Sequence, residues 1–255
     1  MAIHPTAIVD RSSEIASGAD IGPYAYIGPG CFIADGVKVG VRAIIECNTK
    51  VGENTVISPN AHIAGPPQDI SYKGEDTRVE IGKNCIIREF STVHRASAKE
   101  DWVTVIGNAC FIMASAHIAH DCRLADNVTV AAFSALSGHV HVGAYTFISG
   151  LCGVHQFVRI GSGVMVSGLS RVSKDVPSFC IVLNDKLEGL NTVGLKRRGV
   201  SAAVRAELKK ALSVFQDKSL LVSEAREKLK ELEQFPEIIE FRNSLENSKR
   251  GITRN

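Results

Sequence analysis

Residues Ile21-Gly22-Pro23-Tyr24-Ala25-Tyr26-Ile27-Gly28-Pro29-Gly30-Cys31-Phe32-Ile33 carry isoleucine at every sixth position, with a small residue, Ala25 or Cys31, four places after a mark. The pattern extends both ways. Toward the N-terminus it gives Ile15, Val9 and Ile3, and toward the C-terminus Val39, Ile45, Val51, Ile57 and Ile63. It resumes at Ile81, Ile87 and Val93, slips by one residue, and runs unbroken in sixes from Ile106 to Val172. All 26 marks are Ile, Val or Leu. The position four residues on is usually Ala, Ser, Thr or Cys, and five of the seven cysteines fall there, at Cys31, Cys85, Cys110, Cys122 and Cys152.

A period of six is not helical, and one such unit is too short to bury a core alone. Units that each turn one large and one small residue inward can bury them only by stacking, as in a parallel β-solenoid with coils about 4.8 Å apart. Cysteines in the small register read as packing residues, and the absence of a C-x-x-C pair removes the zinc-ribbon reading. An aromatic content of 6% suits a narrow prism. The repeat resembles the left-handed β-helix of the hexapeptide-repeat acyltransferases. That resemblance implies the handedness, the three-sided section with 18 residues per coil, and a homotrimer.

The fold class expected is therefore mainly β: a left-handed parallel β-helix over residues 1–185, followed by a small α-helical domain over 186–255. The repeat stops after Pro177, and Val204, Leu208, Ala211, Leu212 and Phe215 take up helical spacing, with two or three amphipathic helices expected from Ser201 onward. Two breaks, Gly65 to Gly74 and Ala98 to Trp102, read as loops able to carry function. Composition narrows the role. Across 255 residues, 29 Lys+Arg stand against 27 Asp+Glu, which argues against a nucleic-acid partner. No apolar run reaches the ~18 residues of a membrane span, and no signal peptide is visible, so the expected compartment is the cytoplasm.

Chemistry points to histidine. None of the eight lies on a mark or four residues after one, so all are expected outside the prism core. Residues 18 apart stack on neighbouring coils. His120, His139 and His155 then fall one per coil on one edge, with His117 at the corner entering it. Such a cluster could bind zinc or supply a general base. The solenoid carbonic anhydrases resemble a His-x4-His pattern that is missing here, where position 122 is Cys. A base reading fits His120-Asp121, in which the carboxylate would orient the ring.

The stretch Ala116-His117-Ile118-Ala119-His120-Asp121-Cys122 resembles the signature of the UDP-N-acetylglucosamine acyltransferases, which open lipid A biosynthesis. The likeness covers nearly the whole chain and includes Gln68-Asp69, Gly138-His139-Val140, Val154-His155-Gln156-Phe157, Asp175-Val176-Pro177 and Gly194-Leu195-Lys196-Arg197-Arg198-Gly199. It implies His120 as general base, Asp121 as its partner, and the Gly138 N–H as oxyanion donor. Asp69, His117, His139, His155 and Gln156 would hold the sugar nucleotide, with Asn191 and Arg197 arriving from a neighbouring subunit. Gln68 and Gly168 would line the acyl groove. The donor implied is a 3-hydroxyacyl group on acyl carrier protein, the acceptor a UDP-sugar, and no cofactor or metal is called for. Lys196, Arg197, Arg198, Lys209 and Lys210 form a candidate basic patch for the carrier. Two positions depart from the pattern: Val193 stands where glutamate is common, and Ser71 where lysine is common, with Lys73 nearby. Both concern the acceptor, so a 3-amino analogue that would give an amide remains an alternative.

Overall fold

The computed structural model describes residues 2–246, 248 and 250–254. Each of the 26 marks lies in a short strand, usually of two residues. The strands sort by threes into three parallel sheets, which form the faces of a prism. Face A runs from Ala2–Ile3 to Met165–Val166, face B from Ile8–Val9 to Arg171–Val172, and face C from Glu14–Ile15 to Arg159–Ile160. Successive rungs keep register, as in Ile118 on Leu136 on Val154 along face B.

The ladder is made by the backbone. Ile8 N–H donates to Ala25 O at 2.9 Å, and His117 N–H to Ser134 O at 2.9 Å. Inside, the marks Ile27, Ile45, Ile63 and Ile118 are fully buried, each contributing about 1.5–3 kcal/mol by burial. The small register fills the remaining space with Ala25, Ala43, Ala61, Cys85 and Cys110. At Thr55 the small residue is polar and its hydroxyl is paired: Oγ1 donates to Gly82 O at 2.9 Å and accepts from Cys85 N–H at 3.0 Å.

Most corners turn through one residue with left-handed backbone, and few of these are glycine. On the edge between faces B and C they include Asp121 (φ +60°), His139 (+62°) and Phe157 (+65°). Such residues cost about 1–2 kcal/mol each, and the corner hydrogen bonds offset it. His139 N–H, for example, donates to His120 O at 3.0 Å, and Phe157 N–H to Gly138 O at 3.1 Å.

Both breaks in the repeat lie between a face B strand and the next face C strand. One links His62–Gly65 to Arg78–Ile81, the other Thr92–His94 to Val103–Ile106. Both loops therefore leave the prism at the B–C edge.

The repeat does not end at Pro177. Val176 bridges to Ile160 on face C, and Cys180–Leu183 adds one more rung to face A against Met165–Val166 before hairpinning into Lys186–Leu190. The expected domain boundary falls in the turn of that hairpin. Among the described residues four α-helices follow, α1 (Thr192–Arg197), α2 (Ala202–Gln216), α3 (Val222–Lys228) and α4 (Pro236–Ser244), with a short 3-10 helix, Leu229–Glu231, after α3. The spacing foresaw the buried face of α2, which is Val204, Leu208, Ala211, Leu212 and Phe215 together with Glu207. It did not foresee α1, a six-residue helix capped by Asn191 Oδ1 on Gly194 N–H. No helix among the described residues is long and apolar enough to cross a membrane.

Candidate active site

After His117–Ile118 the chain turns from face B to face C through His120 and Asp121. Asp121 N–H is fixed by Thr104 Oγ1 at 2.9 Å. The Asp121 carboxylate is buried, and its Oδ2 accepts from Ser97 N–H at 3.0 Å and Ser97 Oγ at 2.7 Å. The same oxygen meets His120 Nδ1 at 2.7 Å. Burial pushes this carboxyl up, but the bonds from His120 and Ser97 outweigh it and hold the group below its ordinary value. An ionised carboxylate can only accept, so His120 carries its proton on Nδ1 and its Nε2 presents a lone pair.

The next coil closes directly on that ring. A Cβ at Gly138 would lie 2.5 Å from His120 Cε1, so glycine is required there by contact with the His120 ring. His139 follows, edge-on to His120 with centroids 5.2 Å apart, and stacked on Phe157 at 4.4 Å. Its Nδ1 lies 3.3 Å from the Glu100 carboxylate and its Nε2 3.7 Å from Asp121 Oδ2. His139 lies outside the prism core, as expected, yet is only 5% exposed, held among these groups at the edge.

His117 is not at a corner, as the sequence suggested, but on a face B strand. It precedes an inward mark, so strand alternation turns it out. Thr92 Oγ1 holds its Nδ1 at 2.7 Å, and His94 packs edge-on to it at 4.8 Å. His94 was not singled out in the sequence. Asp69, on the first inserted loop, reaches the second through Lys99 Nζ at 2.6 Å, while its Oδ1 accepts from Ser71 N–H at 2.9 Å and Ser71 Oγ at 2.8 Å. The Lys99 bond first, then those from Ser71, hold the Asp69 carboxyl far below the usual carboxylate range.

With this geometry in place, similarity to known proteins is informative. Residues 175–253 match the family model for UDP-N-acetylglucosamine O-acyltransferase, domain 2, and residues 104–138 match the bacterial transferase hexapeptide model. An acyl-[acyl-carrier-protein]–UDP-N-acetylglucosamine O-acyltransferase of Thermodesulfovibrio yellowstonii is 48% identical over 99% of both chains. The chain belongs to this acyltransferase family. The UDP-N-acetylglucosamine O-acyltransferase structure from Moraxella catarrhalis superposes with a TM-score of 0.96 at 39% identity, covering all of both chains. The structure of the Bacteroides fragilis enzyme gives 0.95 at 32% identity, covering 98% of this chain and 99% of that one. The solenoid is thus the left-handed parallel β-helix of these acyltransferases.

Several residues implied by the acyltransferase likeness lie away from His120 within one chain. Asn191 and Arg197 line a cavity of about 560 Å³ with Tyr145, Phe147 and Met165 on the face A side, across the prism from the B–C edge. Asn191 is also committed locally, since its Nδ2 donates to Gly163 O at 2.9 Å. Gly168 lies between Met165–Val166 and Arg171–Val172, hence on the A–B edge. Its 48-residue separation from His120 is two coils and two further sides, which places the two on different edges. His155 shares the B–C edge but is exposed, with Nδ1 3.1 Å from Arg250, and Gln68 and Gln156 are also exposed there. The basic patch is split: Arg197 and Arg198 line the face A cavity, Lys209 lines a separate one beside Arg205 and Lys228, and Lys210 pairs with Glu207 at 2.7 Å.

His120, Asp121 and His139 place ligand atoms within 4.8 Å of one another. Cys122 could not join a metal there. It is fully buried, its Sγ bonds Ser137 O at 3.2 Å, and burial raises the thiol to about 12.

Burial first, and then His117, lower the His94 pKa to about 4. An unfolded histidine titrates near about 6.5, so the unfolded chain takes up this proton first, and stability present above that pH is lost as pH falls toward 4. The difference in urea midpoint between pH 7 and pH 5 should shrink in His94→Gln. An undiminished difference would mean that His94 titrates as an ordinary solvated histidine.

Proposed function

We propose that this chain transfers a 3-hydroxyacyl group from acyl carrier protein to the 3-hydroxyl of UDP-N-acetylglucosamine, the first step of lipid A biosynthesis. The observation that carries the reading is the His120–Asp121 pair, with Nδ1 bonded at 2.7 Å and Nε2 left to act as base. Nε2 takes the proton of the sugar hydroxyl as its oxygen attacks the thioester carbonyl. The negative charge that develops on the carbonyl oxygen is met by the Gly138 N–H, which has no acceptor among the described residues. When the C–S bond breaks, imidazolium His120 returns the proton to the departing thiolate. Buried Asp121 stabilises that cation meanwhile. A thioester is already activated, so the scheme asks for no metal or redox cofactor.

On the acceptor side, Asp69, His117, His139, His155 and Gln156 hold the sugar nucleotide, and Gln68 and Gly168 border the acyl chain. The protein acts as a homotrimer in the cytoplasm, with residues 1–185 as catalytic solenoid and 186–255 as helical domain. Geometry supports an assembly of several copies. Asn191 and Arg197 face away from His120 in their own chain, so they can serve a B–C edge only if it belongs to another copy, as closed cyclic symmetry provides.

His120→Ala should lower kcat by roughly 10²–10⁴ while the fold persists, because the ring lies outside the core. The assay is acyl transfer from 3-hydroxyacyl carrier protein, with UDP-N-acetylglucosamine and its 3-amino analogue supplied in parallel and products read by mass spectrometry. Near-normal turnover in the variant removes His120 as base, and an amide product formed in preference moves the assignment to the amino sugar.

Gly168 needs no glycine on local grounds: its φ lies outside the left-handed region, and a Cβ would meet only Gly150 O at 3.7 Å and Ser149 Cβ at 3.9 Å. Gly168→Met should therefore fold, fill part of the groove and shift the kcat/KM optimum across a ladder of donor lengths to a shorter chain. Coincident optima would place the acyl groove elsewhere.

A further inference from the structure

The second inserted loop contacts the site at three places through three residues. Ser97 holds Asp121 through its N–H and Oγ. Lys99 Nζ meets Asp69 Oδ2 at 2.6 Å, and the Glu100 carboxylate lies 3.3 Å from His139 Nδ1. Asp101 turns the other way, toward Arg123 at 2.6 Å.

Asp69 is the informative contact. It sits on the first inserted loop, so its bond to Lys99 joins the two loops where both leave the B–C edge. A second tie, Arg95 Nε to Tyr72 Oη at 3.0 Å, also joins the same loops, so Lys99 does not hold them together alone. A carboxylate offers about four lone-pair sites. Two on Oδ1 are taken by Ser71 N–H and Oγ, and one on Oδ2 by Lys99. One site remains, on Oδ2 and beside the Lys99 ammonium, where a sugar hydroxyl can donate.

The neighbouring sequence offers no other source for that cation. The position two residues after Asp69, where the resembled pattern carries lysine, is Ser71, and among the described residues the ion pair on Asp69 is made by Lys99 and not by Lys73. The ammonium comes instead from a different loop.

We propose that Lys99 is a positioning residue for the acceptor: it fixes the Asp69 carboxylate so that a single oxygen site receives one hydroxyl of the sugar. This rests on the reading above that Asp69 holds the sugar nucleotide. Lys99 touches neither the thioester nor His120, so its effect belongs to acceptor binding rather than to the chemical step. Arginine can replace it in charge and approximate reach, whereas methionine keeps the stem and removes the charge.

The test is steady-state kinetics on the full chain with UDP-N-acetylglucosamine varied at saturating 3-hydroxyacyl carrier protein, and the reverse, for wild type, Lys99→Met, Lys99→Arg and Asp69→Asn. A charge-assisted bond at a half-exposed site should make the acceptor KM of Lys99→Met about five- to tenfold higher. The donor KM and kcat should stay within about twofold of wild type, and Lys99→Arg should restore most of the acceptor KM. If Asp69→Asn raises the acceptor KM while Lys99→Met leaves it unchanged, the role of Lys99 is overturned and that of Asp69 stands. An equal fall in kcat with both donor and acceptor affected would make Lys99 a general support of the loop and also overturn the proposal. If Asp69→Asn itself leaves the acceptor KM unchanged, the reading beneath the proposal falls, and the proposal falls with it.

Discussion

Every feature of this molecule depends on the hydrogen-bond ladder between coils. It is periodic, local and uniform in direction, and it converts distance along the chain into distance along the prism axis. Two outward residues on neighbouring rungs are therefore held about 4.8 Å apart whether or not their side chains attract each other. That is how His120 and His139 come edge to edge, and how Phe157 comes to lie over His139. The site needs no framework of its own, because the repeat supplies one.

The corners then decide what chemistry the framework can hold. A left-handed corner residue sends its side chain away from the aliphatic core. On the B–C edge three such residues in successive coils are a carboxylate, an imidazole and a phenyl ring. The two inserted loops emerge one and two coils below; the nearer brings Ser97 and Glu100 up against this column, and Asp69 of the farther one is tied to it through Lys99. They bury a carboxylate that would otherwise face water, and Ser97 bonds one of its two oxygens, Oδ2. The charge on Asp121 is thereby kept in a poorly hydrated place, where it acts strongly on His120.

The prism was legible because its signal is redundant. Each of the 26 marks repeats the same demand for a large aliphatic side chain, so an insertion interrupts the phase without hiding it. The site was legible only where the same arithmetic held. His120 and His139 share an edge because each follows a face B mark, Ile118 and Leu136, that lie eighteen apart. His94 escaped, because the rung joining Thr92 to His117 spans 25 residues, lengthened by an inserted loop. Ser97, Lys99 and Glu100 had no periodic signal at all. Loop residues are placed by tertiary contact, and one sequence shows the loop without showing where it folds back. Helix α1 was missed for a related reason: six residues are too few to display an apolar stripe.

The two ends of the prism differ. At the C-terminal end the hairpin and helices cover the last rungs, with the tail returning to pair at Asp175. At the N-terminal end Ile3 and Ile8 are exposed, and nothing among the described residues covers the first coil. A stack bound only between nearest neighbours opens from its weaker end, one coil at a time, and each further coil adds its own cost. His120 sits in the sixth coil from that end. Opening that begins at Ile3 would have to undo five coils before it moved the edge that carries His120, so the length of the prism below the site acts as thermal insulation for it.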